Sequence, residues 1–353
     1  MQRSRWFAQW FGCLAVLIAA GGISPAETHT VIPDRYYATF SFAHPPVKTV
    51  QPGDTIITTL LDSRGHDKNG KLVIYADNVL TGPFYIEGAE PGDTLVIHFN
   101  KVRFNRDWGW NGVRVGLSAL LPSYVRGLYD NNYLEEWLQP GRRNALKWMI
   151  DLDRKVTYPS RPLGDKVKME FPAIPAVGCV GVAPPNKTVI TAGPTGPHGG
   201  NIDYNGIGEG TTVYLNVFEP GALFFLGDGH AAHGDGELLG NGTETSLDAE
   251  FTVDVIKNKR IGYTRLEEPD HIVTFGTLPG RTHMGFQAAI TEMIQWLVKD
   301  YGIDEAEAHV LLGLAAELRV AAWNNTFMCR MAKKYLPERP AEKMLSQSAA
   351  SRP

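Results

Sequence analysis

The segment 227–237, with the sequence GDGHAAHGDGE, holds the densest group of residues that could bind a metal or move protons. In an extended chain, residues two apart point to the same side, so Asp228 and His230 share one face. Asp235 and Glu237 lie seven residues further along and share another face. The intervening glycines permit a tight turn that would bring the second pair beside the first. Three carboxylates and an imidazole would then converge.

Such a convergence requires positive charge. Carboxylates that gather in a partly dry site raise one another's pKa or need a counter-charge. A divalent cation supplies that charge, and mixed histidine and carboxylate ligation favours Zn²⁺, with Mn²⁺ or Fe²⁺ as alternatives and Ca²⁺ if oxygen ligands dominate. The competing interpretation is a polar, Gly-rich hairpin loop with solvated acids. The residue types alone leave both interpretations open.

A second Gly-rich segment, 193–203, has the sequence GPTGPHGGNID. Its residues of chemical interest are His198, Gly199, Gly200, Asn201 and Asp203. Asn201 and Asp203 are two residues apart, so in an extended chain they share a face. Glycines let the backbone approach a ligand closely, and their N–H groups can stabilise an oxyanion. The alternative is a flexible surface loop.

Other chemistry has weaker support. Cys179 could act as a nucleophile, but it lies among apolar residues, where a free cysteine usually packs as a small hydrophobe. The sequence contains no Gly-x-Ser-x-Gly elbow, which weakens a serine-hydrolase interpretation. Cys179 and Cys329 are 150 residues apart, and the sequence does not show whether they pair. The net charge is −4 and no Lys/Arg block is present, so we exclude nucleic acid as a partner.

The elements that would position these residues are mostly strands. From about residue 28 to residue 265, short runs of Val, Ile, Thr, Phe and Tyr alternate with turn sequences. The units QPGDTI at 51–56 and EPGDTL at 90–95 both begin with a Pro-Gly turn, in which Gly accepts a positive φ. We therefore predict a mostly β fold, α+β overall, with a β-sandwich or barrel-like core and a C-terminal helical region.

Two C-terminal helices are indicated by hydrophobic periodicity. The first ends at Gly302, and Asp304 is the expected N-cap of the second, with Glu307 at the third helical position. The apolar face of the first helix is predicted to comprise Phe286, Ile290, Met293, Ile294, Leu297, Val298 and Tyr301. That of the second is predicted to comprise Leu311, Leu314, Ala315 and Leu318.

The N-terminus has the pattern of a secretory signal. Arg3 and Arg5 precede an apolar run at 11–23 that is too short to span a bilayer, and a small-residue cleavage site follows near Ala26. We therefore expect a secreted or periplasmic protein without a membrane partner after cleavage. The expected divisions are a signal peptide at 1–26, a β-rich catalytic core at 27–265, a C-terminal α+β part at 266–336 and a disordered tail at 337–353.

The Trp-rich stretch at about 123–171 shows mixed charge and little alternation. We interpret it as an insertion that leaves the β core, with some helix, and that could serve as a lid or an oligomer contact.

Several of these motifs resemble the acetamidase/formamidase family. The segment 193–203 resembles that family's Gly-Pro…Gly-Gly-Asn-x-Asp motif, and 220–237 resembles its longest motif, except that His233 stands where the family has Gln. The sequence GVAP at 181–184, the Pro-Gly-Asp turns and the region 293–319 also fit. The resemblance implies a mostly β fold, a metal-supported site, frequent homo-oligomers and small linear amides as substrates.

We accordingly expect a metal-dependent amidase that cleaves the C–N bond of formamide- or acetamide-like substrates. The expected metal ligands are Asp203, Asp228 and His230, and the expected catalytic residues are Glu237, Asp235 and His198. The residues expected to contact the substrate or its oxyanion are Gly199, Gly200 and Asn201. Two alternatives stay open: an exported, non-catalytic jelly-roll protein that binds a metal or ligand, and a metal hydrolase of another ester or a cyclic amide.

Overall fold

The computed structural model describes the greater part of the chain. The described residues are 25–112, 115–116, 119–124, 145–277, 281–323 and 325–339. The basic and apolar parts of the predicted signal, residues 125–144 of the predicted insertion and most of the predicted disordered tail lie outside these ranges.

Strands dominate the chain. In order they are β1 (Thr28–Val31), β2 (Thr39–Ser41), β3 (Lys48–Val50), β4 (Thr55–Leu60), β5 (Leu80–Ile86), β6 (Thr94–Phe104), β7 (Trp108–Gly112), β8 (Ala145–Asp151), β9 (Val156–Pro159), β10 (Phe171–Pro172), β11 (Ala176–Gly181), β12 (Val189–Thr191), β13 (Thr195–Gly196), β14 (Gly199–Asn201), β15 (Thr212–Asn216), β16 (Phe224–His230), β17 (Glu244–Thr245), β18 (Leu247–Ile256), β19 (Arg265–Glu267), β20 (His271–Gly276), β21 (Glu317–Ala322) and β22 (Thr326–Ala332). The helices are α1 (Thr282–Tyr301) and α2 (Glu305–Ala315), and short 3-10 helices occupy Pro185–Lys187 and Lys333–Tyr335.

The strands form two large sheets. One has nine strands in the order β1-β4-β18-β6-β15-β19-β20-β22-β21. The other has eleven, with the path β10-β9-β8-β7-β17-β16-β11-β14-β13, and β5 and β3 added beside β16. A small third sheet pairs β2 with β12. The prediction of a mostly β fold with a sandwich core and C-terminal helices is confirmed.

The main hydrophobic core lies between the two large sheets. Strand β4 alternates half-buried Thr55, Ile57 and Thr59 with buried Ile56, Thr58 and Leu60, as expected for period-two burial. Phe251 of the nine-stranded sheet meets Phe84 and Phe224 of the eleven-stranded sheet, with ring centroids 5.6 and 5.4 Å apart. These edge-to-face contacts join the two sheets, which therefore hold the site strands in fixed relative positions.

The predicted Pro-Gly-Asp turns are confirmed. Gly53 and Gly92 have φ values of +96° and +101°, a region that strongly favours glycine. In each turn the aspartate closes the loop, since the backbone N–H of Gln51 donates to Asp54 and that of Glu90 donates to Asp93. The chain thus enters β4 and β6 with a defined register.

The predicted end of the first helix and start of the second are confirmed, but the predicted faces differ from those observed. Gly302, with φ +67°, ends α1, and the Asp304 side chain accepts the N–H groups that begin α2. The buried face of α1 includes Glu292 and Asp300, which the apolar pattern could not reveal because Arg265 pairs with both and Lys259 also pairs with Asp300. The predicted face of α2 is wrong at Leu314 and Leu318. The first is largely exposed, and the second lies in β21, since the helix ends at Ala315.

Three segments of the Trp-rich stretch, Ala145–Asp151, Val156–Pro159 and Phe171–Pro172, belong to the β core. Strands β8, β9 and β10 extend the eleven-stranded sheet through β7, so the interpretation as an excursion from that core is wrong for these residues. Leu146, Trp148 and Ile150 of β8 are buried at a spacing of two. Their alternation is diluted in the sequence by the irregular segments around it. No helix among the described residues is both long and apolar enough to cross a bilayer.

Candidate active site

Three neighbouring strands position a cluster of acidic residues around one histidine. Strand β16 carries Asp228 and His230, and β17 places Glu244 directly opposite His230. On the other side of β16, β11 pairs with it and also with β14, after which the chain reaches Asp203. The loop beyond β16 returns Glu237 to the same point. The His230 cluster therefore consists of Asp203, Asp228, His230, Glu237 and Glu244.

The imidazole lies at the centre of this cluster. Its Nε2 is 3.6 Å from an oxygen of Asp228, 3.5 Å from Glu237 and 3.3 Å from Glu244. Asp203 and Asp228 are close enough to His230 that one ligand atom from each lies within 4.8 Å of the others. Glu237 is the most accessible of the residues around the imidazole, with 9% of its side chain exposed. It is therefore the carboxylate best placed to meet a molecule that enters from outside.

Gly178 of β11 forms the floor of the cluster. A Cβ atom at this position would lie 2.7 Å from Asp228 Oδ2, 2.8 Å from Asp203 Oδ1 and 2.8 Å from His230 Cε1. These separations are shorter than van der Waals contact, so any side chain here would push the three groups apart. The glycine thus allows carboxylates from two segments to approach one another.

The backbone is unusual at three of the acidic residues. Asp203, Asp228 and Glu237 have φ values of +51°, +60° and +43°. Non-glycine residues seldom adopt this left-handed conformation, and such strain concentrates at functional sites. In β16 it also interrupts the ladder with β11, because Asp228 and Gly178 do not pair while the residues on either side do.

Burial makes the cluster electrostatically unfavourable on its own. Burial, followed by the nearby carboxylates, raises the pKa of Glu237 and of Glu244 to about 8 and that of Asp203 well above its usual range. Burial lowers the pKa of His230, but the carboxylates of Glu244 and Asp228 outweigh it and raise the value well above normal. The imidazole alone cannot balance four ionised acids, so the acids must either bind protons or share an additional positive charge.

Several atoms of the cluster are buried without a hydrogen-bond partner in the described part of the chain. They are one oxygen each of Asp203, Asp228 and Glu244 and both ring nitrogens of His230. Buried polar atoms normally find partners, and free carboxylate oxygens and an imidazole nitrogen suit a divalent cation. Two overlapping ligand sets exist, Asp203–Asp228–His230 and His230–Glu237–Glu244. The donor set therefore fits a metal ion.

The remaining predicted site residues lie in different surroundings. Asp235 is half-exposed and forms a two-pronged ion pair with Arg319 at 2.8 and 2.6 Å, apart from the cluster. His198 is buried against the edge of Phe40, with ring centroids 5.2 Å apart, and neither of its nitrogens has a hydrogen-bond partner among the described residues. Burial lowers the pKa of His198 to about 4.

Asn201 bridges the cluster to Cys179. Its amide nitrogen donates to Asp203, and its oxygen accepts a hydrogen bond from the Cys179 thiol at 2.7 Å. Burial and the neighbouring acids raise the pKa of Cys179 well above normal, so the thiol stays protonated and is a poor nucleophile. Cys179 and Cys329 are both free and buried, in different sheets.

Gly199 and Gly200 form most of β14. This strand pairs with β11 on one side and β13 on the other. Hydrogen bonding between the strands therefore competes with an oxyanion for the backbone N–H groups of Gly199 and Gly200. Their close packing requires glycine, since a Cβ at Gly199 would lie 2.3 Å from the Val180 carbonyl oxygen.

Glu244 was missed in the sequence. It lies outside the conspicuous Gly-rich motifs, in the run NGTETS at 241–246, where an isolated acid looks like a turn residue. The chain returns along β16 after a turn in which the N–H of Gly240 donates to the Glu237 carbonyl. Glu244 then faces His230, but only the pairing register establishes this.

A cavity of about 650 Å³ reaches the cluster at His230 and Glu237. Its walls come from β7, β8, β10 and the segments around β16 and β17. The site therefore combines buried acids, ligand atoms without a partner among the described residues, and an accessible cavity, as expected of an active or ligand-binding site.

Comparison with known proteins agrees with this arrangement. Residues 175–323 match the Acetamidase/Formamidase family model, and this segment contains the whole His230 cluster. The resemblance predicted from the sequence is confirmed for this segment, which matches the acetamidase/formamidase family model.

Curated relatives are more distant in sequence. A Schizosaccharomyces pombe protein provisionally named as a formamidase is 27% identical over 255 residues, which is 61% of this chain and 61% of the relative. The formamidase of Methylophilus methylotrophus is 25% identical over 240 residues, covering 55% of this chain and 57% of the relative. The chain thus spans about three-fifths of the length of the curated relatives that it matches.

Solved acetamidase structures share the fold over most of the chain. The acetamidase of Bacillus halodurans is 26% identical, with a TM-score of 0.70, and the match covers 87% of this chain and 98% of that one. The acetamidase of Yersinia enterocolitica is 25% identical, with a TM-score of 0.72 and coverages of 91% and 96%.

Proposed function

We propose that the protein hydrolyses the C–N bond of linear amides, giving a carboxylate and ammonia, and that a divalent cation held by the His230 cluster supports the reaction. The observation that carries this proposal is the set of four carboxylates, three of them buried and that of Glu237 9% exposed, gathered around one imidazole. The family of the segment 175–323 and the amidase names of its relatives support the same reaction class.

Asp203, Asp228, His230 and Glu244 would hold the cation, because each offers a buried ligand atom that has no hydrogen-bond partner in the described chain. When bound, a divalent cation polarises an amide carbonyl and lowers the pKa of a coordinated water. Zinc is our first choice, since histidine and carboxylate ligands suit it, and calcium is the alternative if oxygen ligands dominate.

Glu237 would transfer the proton. It contacts the cavity and is the most accessible carboxylate around the imidazole. As a base, Glu237 takes a proton from the attacking water while the new C–O bond forms. It then gives that proton to the amide nitrogen as the C–N bond breaks, so that ammonia leaves. A carboxylate with a pKa moved towards neutrality is suited to both steps.

The test measures ammonia release from purified protein with a series of primary amides from formamide upward. Each is measured before dialysis against a chelator, after it, and after Zn²⁺, Mn²⁺ or Ca²⁺ is added back. We expect release that is lost on chelation and restored by one cation. Full activity after verified metal removal would disprove the metal requirement, and hydrolysis of only esters or cyclic amides would disprove the linear-amide assignment.

We further propose that the enzyme is exported, cleaved near Ala26 and oligomeric, on the basis of the N-terminal sequence pattern and the family resemblance. Mass spectrometry of protein recovered from a native host tests the first two statements, with an expected mature chain that begins near residue 27. Light scattering of the mature protein tests the third. An intact N-terminus or a monomeric mass would contradict the corresponding statement.

A further inference from the structure

The cavity beside the His230 cluster is much larger than a formamide or acetamide molecule requires. These amides have three and four non-hydrogen atoms, whereas the cavity is about 650 Å³. Cavities of several hundred cubic ångströms normally enclose ligands of drug-like size. A one- or two-carbon amide at Glu237 would leave most of this space to water.

The walls of the cavity are apolar. Leu146 and Trp148 project from β8, and Phe171 lies at β10, with the Trp148 and Phe171 rings 6.0 Å apart. The indole N–H of Trp148 donates to Asn111 at 2.7 Å, so its polar atom is already engaged and the ring offers an apolar surface. These side chains favour an aliphatic or aromatic group.

The outer part of the cavity exposes further large hydrophobic residues. Phe171, Ile174 and Leu238 are 48%, 53% and 44% exposed, and all three line this one cavity. Single exposed hydrophobic residues are ordinary, but a group of them around one opening marks a binding surface. An apolar ligand would remove this surface from water.

The charged residues that line the cavity do not favour a ligand whose main part is ionised. Apart from the histidines, the charged residues among those that line the cavity are Glu237, in the cluster, and Asp235, whose carboxylate is paired with Arg319. The side-chain oxygen of Asn241 accepts the N–H of Gly112, and Asn205 donates to the His233 carbonyl. The cavity therefore suits a neutral, apolar group with a polar head that reaches Glu237.

We propose that the preferred substrates are primary amides with a large apolar acyl group, which occupies the cavity walled by Leu146, Trp148, Phe171, Ile174 and Leu238. This inference rests on the proposed amide hydrolysis. The amide head lies at His230 and Glu237, and the acyl chain or ring lies between β8 and the loop that carries Leu238.

The experiment compares kcat/KM for formamide, acetamide, butyramide, hexanamide and phenylacetamide with the metal-loaded enzyme. We expect an increase of about fourfold for each added methylene from acetamide to hexanamide, since each buries more apolar surface. Faster turnover of formamide or acetamide than of the longer amides would overturn this inference and leave amide hydrolysis intact. Turnover of none of the amides would overturn both.

Two wall variants, Phe171→Ala and Ile174→Ser, test the location. Both residues are about half-exposed, so the fold should tolerate the changes. We expect the ratio of kcat/KM for hexanamide to that for acetamide to fall about tenfold. The control is Leu314→Ser, which changes an exposed apolar residue on α2 and should leave the ratio unchanged. An unchanged ratio in both wall variants would place the acyl group elsewhere and overturn the proposal.

Discussion

Glu237 and Asp235 are two residues apart, yet they lie in opposite environments. Glu237 is almost buried beside His230, whereas Asp235 is half-exposed and held by Arg319. We expect Glu237→Gln to lower kcat by about a hundredfold to ten-thousandfold, because an amide cannot accept the proton of water. Asp235→Asn should lower it far less. The measurement is steady-state kinetics with the best amide, and a surface carboxylate variant, Glu250→Gln, serves as the control.

Equal losses in the Asp235 and Glu237 variants would contradict this assignment, because they would show that the exposed ion pair matters as much as the buried base.

Gly178 is required for a steric reason. In Gly178→Ala, the new Cβ would overlap with Asp203, Asp228 and His230, each within 2.8 Å. We expect the variant to fold but to bind the cation at least tenfold more weakly and to lose most of its amidase activity. Titration calorimetry with Zn²⁺ or Mn²⁺ measures the affinity directly.

The matched control is Gly313→Ala on α2, where the added methyl meets no atom within 4 Å. It should retain cation affinity and gain about 0.5–1 kcal/mol of stability, because alanine favours a helix. Normal cation binding by Gly178→Ala would show that the cluster is not the metal site.

His198 gives a pH-dependent contribution to stability outside the cluster. Its pKa is lowered by burial from 6.5 in the unfolded chain to about 4 in the fold. Between these values the unfolded chain binds more protons, so the stability due to neutral His198 is present above pH 6.5 and is lost as the pH falls through 4. The loss amounts to roughly 3 kcal/mol.

The variant His198→Leu cannot be protonated at this position. We expect the free energy of unfolding of the wild type, relative to that of the variant, to decrease between pH 6.5 and 4 in urea titrations. A constant difference across this range would mean that His198 is charged, or hydrated, in the folded protein.

At the scale of elements, helix α1 is fixed to the nine-stranded sheet by a buried ion network. Arg265 of β19 donates to Glu292 at 2.6 Å and to Asp300 at 2.7 Å, and all three are buried. We expect Arg265→Met to destabilise the protein by about 3–5 kcal/mol, because buried Glu292 would lose its guanidinium partner and Asp300 would retain its ion pair with Lys259 alone. Chemical denaturation measures the change.

The control for this network is Lys101→Met, which removes an exposed ion pair with Glu250 on the same sheet. Its expected cost is about 0–1 kcal/mol. A loss of similar size in the two variants would show that the Arg265 network does not hold α1 to the sheet.

The elements also show which features can be predicted from sequence. The turns at Gly53 and Gly92 were predictable because backbone sterics act locally, and so was the cap at Asp304. The buried face of α1 was only partly predictable, since Arg265 and Lys259, which pair with Glu292 and Asp300, are distant in sequence. The strand containing Trp148 was missed for a related reason, because its partner β7 is separated from it by more than thirty residues.

In the site, too, local motifs were predictable from the sequence, whereas contacts between distant segments were not. Asp203, Asp228, His230 and Glu237 were identified because glycines flank them in compact motifs, and the structure brings all four together. Glu244 required knowledge of the β16–β17 register. Asp235 was predicted to share a face with Glu237, but the positive φ at Glu237 breaks the two-residue alternation, and Arg319 on β21 pairs with Asp235.

At the scale of the whole molecule, the fold holds the carboxylates of the His230 cluster close together. Their mutual repulsion lowers the stability of the folded protein, and a bound cation would remove this repulsion. Without a cation, burial raises the pKa of Glu237 and Glu244 to about 8, compared with 4.5 in the unfolded chain. The folded protein then binds more protons between these values, so its stability falls as the pH rises from about 4.5 to 8. A bound divalent cation favours the charged carboxylates and opposes this loss.

We therefore expect Zn²⁺ or Mn²⁺ to raise the melting temperature of chelated protein, and to raise it more at pH 8 than at pH 5.5, where protons compete for the ligands. At a free cation concentration of one hundred times Kd, the gain is about 2.7 kcal/mol. Calorimetry at both pH values checks this, with Asp203→Asn/Asp228→Asn as the variant that should lose the gain. Equal gains in the wild type and this variant would place the bound cation elsewhere, and no gain with any divalent cation would leave the buried carboxylates to be balanced by protons alone.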